Sequence, residues 1–140
     1  MKNWVIFSLI SMFFAGLTSV IAKMGLKNVS SDTGLAVRTV VVFVFVWINV
    51  IAFQGVKDFK NLTKSDILFL AISGVTTSLS WIFYYKAIKI GNVSQVALID
   101  KASILITLAL SFLILNEHFT WKVGVGALLI LSGLLVLTFK

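Results

Sequence analysis

Residues 93–115, VSQVALIDKASILITLALSFLIL, form an apolar segment that carries an acid and a base, Asp100 and Lys101, inside it. The segment is long enough to cross a bilayer, because a spanning helix needs about 20 mostly apolar residues. Near the middle of a span each charge costs about 2.5 to 3.5 kcal/mol, whereas each Val, Leu, Ile or Phe returns about 0.3 to 0.6 kcal/mol. The summed free energy of inserting this segment into the bilayer is near zero, so we expect neighbouring helices to shelter the two charges.

The composition of the 140 residues is that of a membrane protein. Hydrophobic residues make up 59% of the chain, against about 45 to 50% in soluble domains, and the mean hydropathy is +1.07. The net charge of +7 does not indicate nucleic-acid binding, because the lysines lie singly between apolar runs. With no cysteine and one histidine, no metal cluster is expected. We also expect no cofactor and no catalytic residues, since no nucleophile with a base and no phosphate loop occurs.

Five apolar runs predict an all-α integral membrane protein with one five-helix domain over residues 1–140. The predicted spans cover residues 3–22, 34–53, 66–87, 93–115 and 121–139. The first run exceeds the apolar region of a signal peptide, so we interpret it as a span. Ser and Asp residues before the second span, and Thr120 before the fifth, suit helix caps.

Small residues predict where helices approach one another closely. Three of them recur at four-residue spacing in the first span, and three glycines lie in the third and fifth spans. The predicted packing residues are Ser11, Ala15, Ser19, Gly74, Gly126 and Gly133.

Polar and aromatic side chains inside the second and third spans have two interpretations each. Arg38 lies about one turn inside its span, and Asn49 lies near the same helical face. Arg38 either extends to the headgroups or faces a cavity and attracts an anion. Trp81 and Tyr84, one turn apart, either form an interfacial belt or line a pocket. In the functional interpretation Arg38, Asn49, Trp81 and Tyr84 contribute to a substrate site.

The fourth span carries a polar face. Asp100, Ser103, Thr107 and Ser111 recur at helical spacing, whereas Lys101 points about 100° away. We therefore expect Asp100 and Lys101 not to neutralise each other but to meet partners on other helices. These contacts form either a structural network or a substrate and proton site. In the second case Asp100 couples transport to protons, Lys101 and Arg38 hold an anionic group, and Ser103 contacts the substrate.

The flanking bases give no preferred orientation, since the positive-inside rule needs an excess on one side. One side receives Lys2, Lys57, Lys60, Lys64 and Lys122, and the other Lys23, Lys27, Lys86, Lys89 and Lys140, with Arg38 as a sixth base. Either the chain inserts both ways, which would allow an antiparallel pair, or a partner fixes its direction.

From Ala87 onward the chain resembles the second part of an EamA domain, the five-helix unit of the drug/metabolite transporter superfamily. The matching positions are Ala87, Gly91, Ser94, Val96, Asp100, Lys101, Ser103, Glu117, Gly126 and Gly133, and Lys23, Gly25 and Arg38 agree in the earlier segment. Ala97 replaces a frequent proline, and Asn116 replaces a frequent glycine. The resemblance implies export of metabolites, amino acids or drugs by a proton-coupled or facilitated route. It also implies a cavity lined by helices one to four, with the fifth in dimer or repeat packing.

These observations predict a secondary transporter of a small polar metabolite, such as an amino acid, in the cell's inner (plasma) membrane. The expected partners are membrane lipids, a small-molecule substrate and a second subunit. That subunit is a second copy, antiparallel in one interpretation, or a related small protein. Three alternatives stay open at this point: a small multidrug-type cation exporter, a lipid-carrier flippase subunit and a non-transporting membrane scaffold subunit.

Overall fold

The computed structural model describes residues 3–53, 55–118 and 120–138, and within these ranges every regular element is a helix. The α-helices are α1 (Asn3–Gly25), α2 (Ser31–Ala52), α3 (Lys64–Ile90), α4 (Val93–Asp100), α5 (Ser103–Ile114) and α6 (Trp121–Thr138), and a 3-10 helix covers Gly55–Asn61. The predicted all-α class is confirmed. Lys2 and Lys140, predicted as flanking charges, and Gln54 and Phe139, at the ends of predicted segments, lie outside the described residues.

The helices have the length and surface of membrane spans. α1, α2, α3 and the segment Val93–Ile114 are each long and apolar enough to cross a bilayer, and α6 is apolar but shorter in its described part. Large side chains such as Phe13, Phe43 and Phe69 are more than half exposed. An apolar outer surface on every long helix is expected when lipid is the solvent.

Two compact units make up the chain, the first ending at Ile90 and the second beginning at Gly91. In the first unit, α1 and α2 both pack on α3. Among its described residues, the buried side chains are Leu26, Leu35, Tyr85 and Ile88. The 3-10 helix is held to α2 by the ring of Phe59, which stacks on Trp47 at 5.9 Å between centroids.

Side-chain caps start the helices where the sequence predicts them. The Ser30 hydroxyl accepts a hydrogen bond from the Thr33 amide at 3.1 Å at the start of α2. The Thr120 hydroxyl accepts one from the Val123 amide at 3.4 Å at the start of α6. Both caps satisfy an amide that has no partner within its helix, so the expected caps of the second and fifth spans are confirmed.

Two lysines join the C-terminal ends of α1 and α3, and we call this arrangement the lysine clasp. Lys23 Nζ donates to the carbonyl oxygens of Ile88 at 2.6 Å and Lys89 at 3.2 Å. Lys89 Nζ donates to the carbonyl oxygen of Leu26 and, at 3.2 Å, to that of Lys27. Carbonyls at a helix C-terminus lack intrahelical donors and carry the negative end of the helix dipole. Lys23 therefore satisfies carbonyls at the end of α3, and Lys89 satisfies carbonyls of the turn that directly follows α1.

In the second unit the fourth span is interrupted at Lys101 and Ala102. The Ala102 amide donates to the Ile99 carbonyl at 2.9 Å, and the Ile104 amide donates to the Lys101 carbonyl at 3.1 Å. These bonds reach back three residues, the pattern of a 3-10 turn, and they tighten the backbone between α4 and α5. The predicted fourth span is therefore built from two consecutive helices, α4 and α5, and residues Val93–Ile114 are together long and apolar enough to cross a bilayer.

The turn after α5 explains why asparagine stands at position 116. Asn116 has a φ of 52°, in the left-handed region that asparagine tolerates better than most other residues with a side chain. This conformation reverses the chain, so that the Glu117 amide donates to the Ser111 carbonyl at 3.3 Å. A left-handed residue that satisfies a late carbonyl is a common way to end a helix.

Substitutions at Asn116 test whether its left-handed conformation explains the choice of asparagine. Asn116→Val is expected to lower the free energy of unfolding by about 1 to 2 kcal/mol, because the left-handed conformation is unfavourable for a β-branched residue. Asn116→Gly should cost little, since glycine adopts this conformation readily. Unfolding titrations in mixed detergent micelles would measure both values. Equal losses for valine and glycine would contradict the explanation.

Candidate functional site

Arg38 on α2 lies against two aromatic rings of α3. Its Cζ atom is 4.2 Å from the ring centroid of Trp81 and 5.6 Å from that of Tyr85. The two rings are four residues apart on α3 and therefore point to the same side of the helix. Both distances are within the range of cation–π attraction, which stabilises a charge without neutralising it. We call Arg38, Trp81 and Tyr85 the Arg38 site.

The guanidinium group of Arg38 has unused hydrogen-bonding capacity. In the part of the chain that the structure describes, no carboxylate or other acceptor hydrogen-bonds to it. The five N–H donors of a guanidinium point outward in its plane. A planar anion, such as a carboxylate, can bind such an edge with two parallel hydrogen bonds.

A cavity of about 460 Å³ lies beside Arg38 and Tyr85. This volume falls within the range of about 300 to 1,000 Å³ that small-molecule sites occupy. Its polar lining includes the hydroxyls of Thr18 and Thr33, and the rest is mainly aliphatic: Ile21, Ala22, Leu26, Val29 and Val37. The first unit thus places one cation at the edge of an apolar cavity.

Of the predicted aromatic residues, the structure brings Trp81 to Arg38 but directs the Tyr84 hydroxyl elsewhere. The Tyr84 hydroxyl is 2.7 Å from the Ser19 hydroxyl of α1. The cavity is lined instead by Tyr85, which is 3% exposed and which sequence reasoning missed. Neighbouring residues on a helix point about 100° apart. Because Tyr84 and Tyr85 are adjacent and identical, the sequence does not indicate which of them faces α2.

The structure does not bring Asn49 to the Arg38 site. Asn49 is exposed on α2, and eleven residues of helix separate it from Arg38 by about 16 Å. A shared helical face is therefore not enough to place both side chains in one small cavity.

Asp100 and Lys101 in the second unit contact each other. Lys101 Nζ is 3.6 Å from Asp100 Oδ2, and their side chains are 67% and 36% exposed. The expectation that the two charges would not meet is wrong. It assumed a regular helix, whereas α4 ends at Asp100 and the flexible Lys101 side chain extends from a turn. The pair is loose and accessible, so it does not form a closed internal network.

Lys101 also lines a groove in the second unit. The groove has a volume of about 680 Å³, and Lys101, Ser103 and Thr107 line it together with Leu129 and Gly133 of α6. Ser103, predicted as a substrate contact, is thus brought together with Lys101.

The predicted packing glycines have open space around them. A Cβ atom added at Gly74, Gly126 or Gly133 would meet nothing within 4 Å, and Ser11 and Ala15 on α1 are exposed. The structure shows no close packing at these positions, so the close approach of another helix there stays a prediction.

The cation–π contact at the Arg38 site can be measured by a double-mutant cycle. Trp81→Ala is expected to destabilise the protein by about 0.5 to 2 kcal/mol beyond its loss of packing, because an embedded cation loses its best ring. In an Arg38→Gln background the same change should cost less, and the difference reports the coupling. Unfolding titrations in micelles give all four values. Trp4→Ala, at an exposed position on α1, is the control, and strictly additive losses would contradict the contact.

Apolar helices that hold a charged side chain beside a cavity within a span define a membrane protein with an embedded polar site, and transport is the usual role of such sites. The chain belongs to the EamA-like transporter family, whose sequence model matches residues 2–139. It is 34% identical over 136 residues to a protein of Sinorhizobium sp. named "Uncharacterized transporter in cobO 3'region", and the match covers 97% of this chain and 96% of the relative. No solved structure matches the chain. The protein is therefore a membrane transporter.

Proposed function

We propose that this protein exports a small metabolite with an anionic group across the cell's inner (plasma) membrane, by alternating access within a dimer. The observation that carries this proposal is Arg38, whose guanidinium lies over two rings at the edge of a cavity and makes no hydrogen bond to the residues that the structure describes. An embedded cation with no carboxylate beside it among the described residues attracts an anionic ligand, and the two rings stabilise its charge when no ligand is bound.

Proton coupling is assigned in this proposal to Asp100. Its carboxyl is 36% exposed and lies 3.6 Å from Lys101 Nζ. Gain or loss of a proton at Asp100 changes the charge beside Lys101, and Lys101 lines a groove with Ser103. A charge change next to a cation that can bind an anion is the physical requirement for coupling proton and substrate binding.

A lipophilic-cation exporter receives less support from the same contacts. Such a substrate needs an available carboxylate, whereas Asp100 already has Lys101 as a neighbour. The charge of Arg38 would also repel a cation from the cavity.

The dimer in this proposal is a homodimer, antiparallel if the chain inserts both ways, or a pair with a related small subunit. Five flanking bases on one predicted side against six on the other, counting Arg38, support insertion in both directions. Reporter fusions at the C-terminus test this point. Signals from both sides of the membrane support an antiparallel pair, and a signal from one side in every molecule excludes it.

Reconstitution of the full chain tests the proposed function. Liposomes containing the protein would be supplied with a panel of labelled organic anions, amino acids and ethidium. We expect exchange of one or more anionic compounds, a loss of that exchange in Arg38→Gln, and normal exchange in Lys60→Gln, an exposed position on the 3-10 helix. Transport of ethidium alone, or of nothing in the panel, would overturn the proposal.

A further inference from the structure

The wall of the cavity beside Arg38 selects for an apolar ligand body. Ile21, Leu26, Val29 and Val37 contribute aliphatic surface, and Leu26 is only 2% exposed. A strongly hydrated solute would give up water here without receiving hydrogen bonds in return. An aliphatic group gains free energy on the same transfer. The part of the ligand that fills the cavity is therefore hydrocarbon.

The charges on the wall select for an anion without a cationic group. Among the described residues that line the cavity, Arg38 is the one charged side chain, and none is an acid. In an α-amino acid the ammonium group is two bonds from the carboxylate carbon. A carboxylate bound to Arg38 would therefore hold that ammonium close to the guanidinium, where the like charges repel.

The hydroxyl groups on the wall do not replace a missing carboxylate. Thr18 Oγ1 donates to the Phe14 carbonyl at 2.8 Å, and Thr33 Oγ1 accepts from the Ser30 hydroxyl at 2.9 Å. An ammonium group has three N–H donors and needs acceptors for them when it leaves water. These two neutral hydroxyls can accept hydrogen bonds but carry no negative charge, so they do not offset the repulsion between the ammonium and Arg38.

We propose that the Arg38 cavity binds an aliphatic carboxylate that has no amino group, in preference to the corresponding amino acid. This inference rests on the proposed function and specifies its substrate class. The carboxylate accepts hydrogen bonds from the edge of the guanidinium, and the hydrocarbon body fills the aliphatic part of the cavity.

Three compounds that share a 3-methylbutyl chain test the inference. 4-Methylpentanoate carries only the carboxylate, leucine carries both the carboxylate and the ammonium, and 3-methylbutylamine carries only the ammonium. Each would be titrated at pH 7.5 into the purified full chain in a neutral detergent, with binding measured by calorimetry and by the midpoint of thermal unfolding. We expect 4-methylpentanoate to bind at least about tenfold more tightly than leucine, and the amine not to bind, because an ammonium group is repelled by the Arg38 guanidinium.

Variants of Arg38 and Lys60 distinguish the loss of a ligand contact from the loss of the folded structure. Arg38→Gln is expected to weaken binding of the acid by about tenfold to hundredfold, the usual effect of removing a hydrogen bond to a charged group. Arg38→Lys keeps the charge and should bind with intermediate strength. Lys60→Gln, outside the cavity, should bind like the unmodified chain.

Each contrary result has a separate meaning. Leucine binding that equals or exceeds that of the acid, and is lost in Arg38→Gln, overturns this inference and leaves the proposed function standing. Acid binding that is unchanged in Arg38→Gln overturns the assignment to this cavity. If phosphatidylglycerol alone raises the midpoint of thermal unfolding by the same amount, Arg38 binds lipid headgroups, and this result also overturns the inference. If none of the three compounds binds and no anion is transported, the proposed function itself fails.

Discussion

Asp100→Asn is expected to reduce proton-driven accumulation of the substrate to the level of empty liposomes. Asparagine keeps the size of the side chain but cannot gain or lose a proton. It also leaves Lys101 without the carboxylate that lies 3.6 Å away. The measurement compares uptake driven by an imposed pH gradient with substrate exchange at equal pH on both sides. Exchange should persist, because it needs substrate binding but no net proton movement.

The control for this prediction is Glu117→Gln. Glu117 is the other acidic residue of the second unit, and it is exposed in the connection between α5 and α6. Its removal should leave both transport modes unchanged. If Asp100→Asn retains gradient-driven accumulation, the proton is carried by another group and the assigned role of Asp100 is wrong.

Breaking the lysine clasp is expected to give the largest loss of stability among single substitutions outside the packed interior. Lys23→Met and Lys89→Met keep an unbranched apolar stem but remove the ammonium that donates to two carbonyls. Each change should lower the free energy of unfolding by about 1.5 to 3 kcal/mol, the range for hydrogen bonds to a charged group. Unfolding titrations in mixed micelles would measure the loss.

Lys86→Met provides the matched control for the clasp. Lys86 lies three residues before Lys89 on α3 and is exposed, so its replacement should change stability by less than about 0.5 kcal/mol. The double variant of Lys23 and Lys89 should lose less than the sum of the single variants, because both lysines hold the same pair of helix ends. Additive losses would show that the two lysines act independently.

The sequence was sufficient to predict the helices because the bilayer restricts the backbone so strongly. A chain in hydrocarbon has to satisfy its amides and carbonyls internally, so each long apolar run had to be helical. The caps at Ser30 and Thr120 were predictable for a related reason, since the first amides of a helix need a nearby acceptor. These are local requirements, and local sequence expresses them.

The contacts that define the site depend on rotation about helix axes, which sequence alone does not fix. Tyr85 faces the Arg38 cavity, whereas the Tyr84 hydroxyl contacts Ser19. Lys89 had the pattern of an ordinary flanking lysine, yet it donates to carbonyls of the turn that directly follows α1. No proline or glycine marks the turn at Lys101, so the contact between Asp100 and Lys101 was also not foreseen.

The lysine clasp restricts how the first unit can change shape. Each ammonium group donates to backbone carbonyls at, or directly after, the end of the other helix. The ends of α1 and α3 therefore cannot slide or separate without losing four hydrogen bonds together. Any relative movement of α1 and α3 at these ends therefore has to break the clasp. α2 carries the guanidinium of Arg38 but no atom of the clasp, so these four hydrogen bonds do not restrict its position relative to α1. In the proposed function, a tilt of α2 that leaves the clasp intact is the movement that would widen the cavity and release the anion.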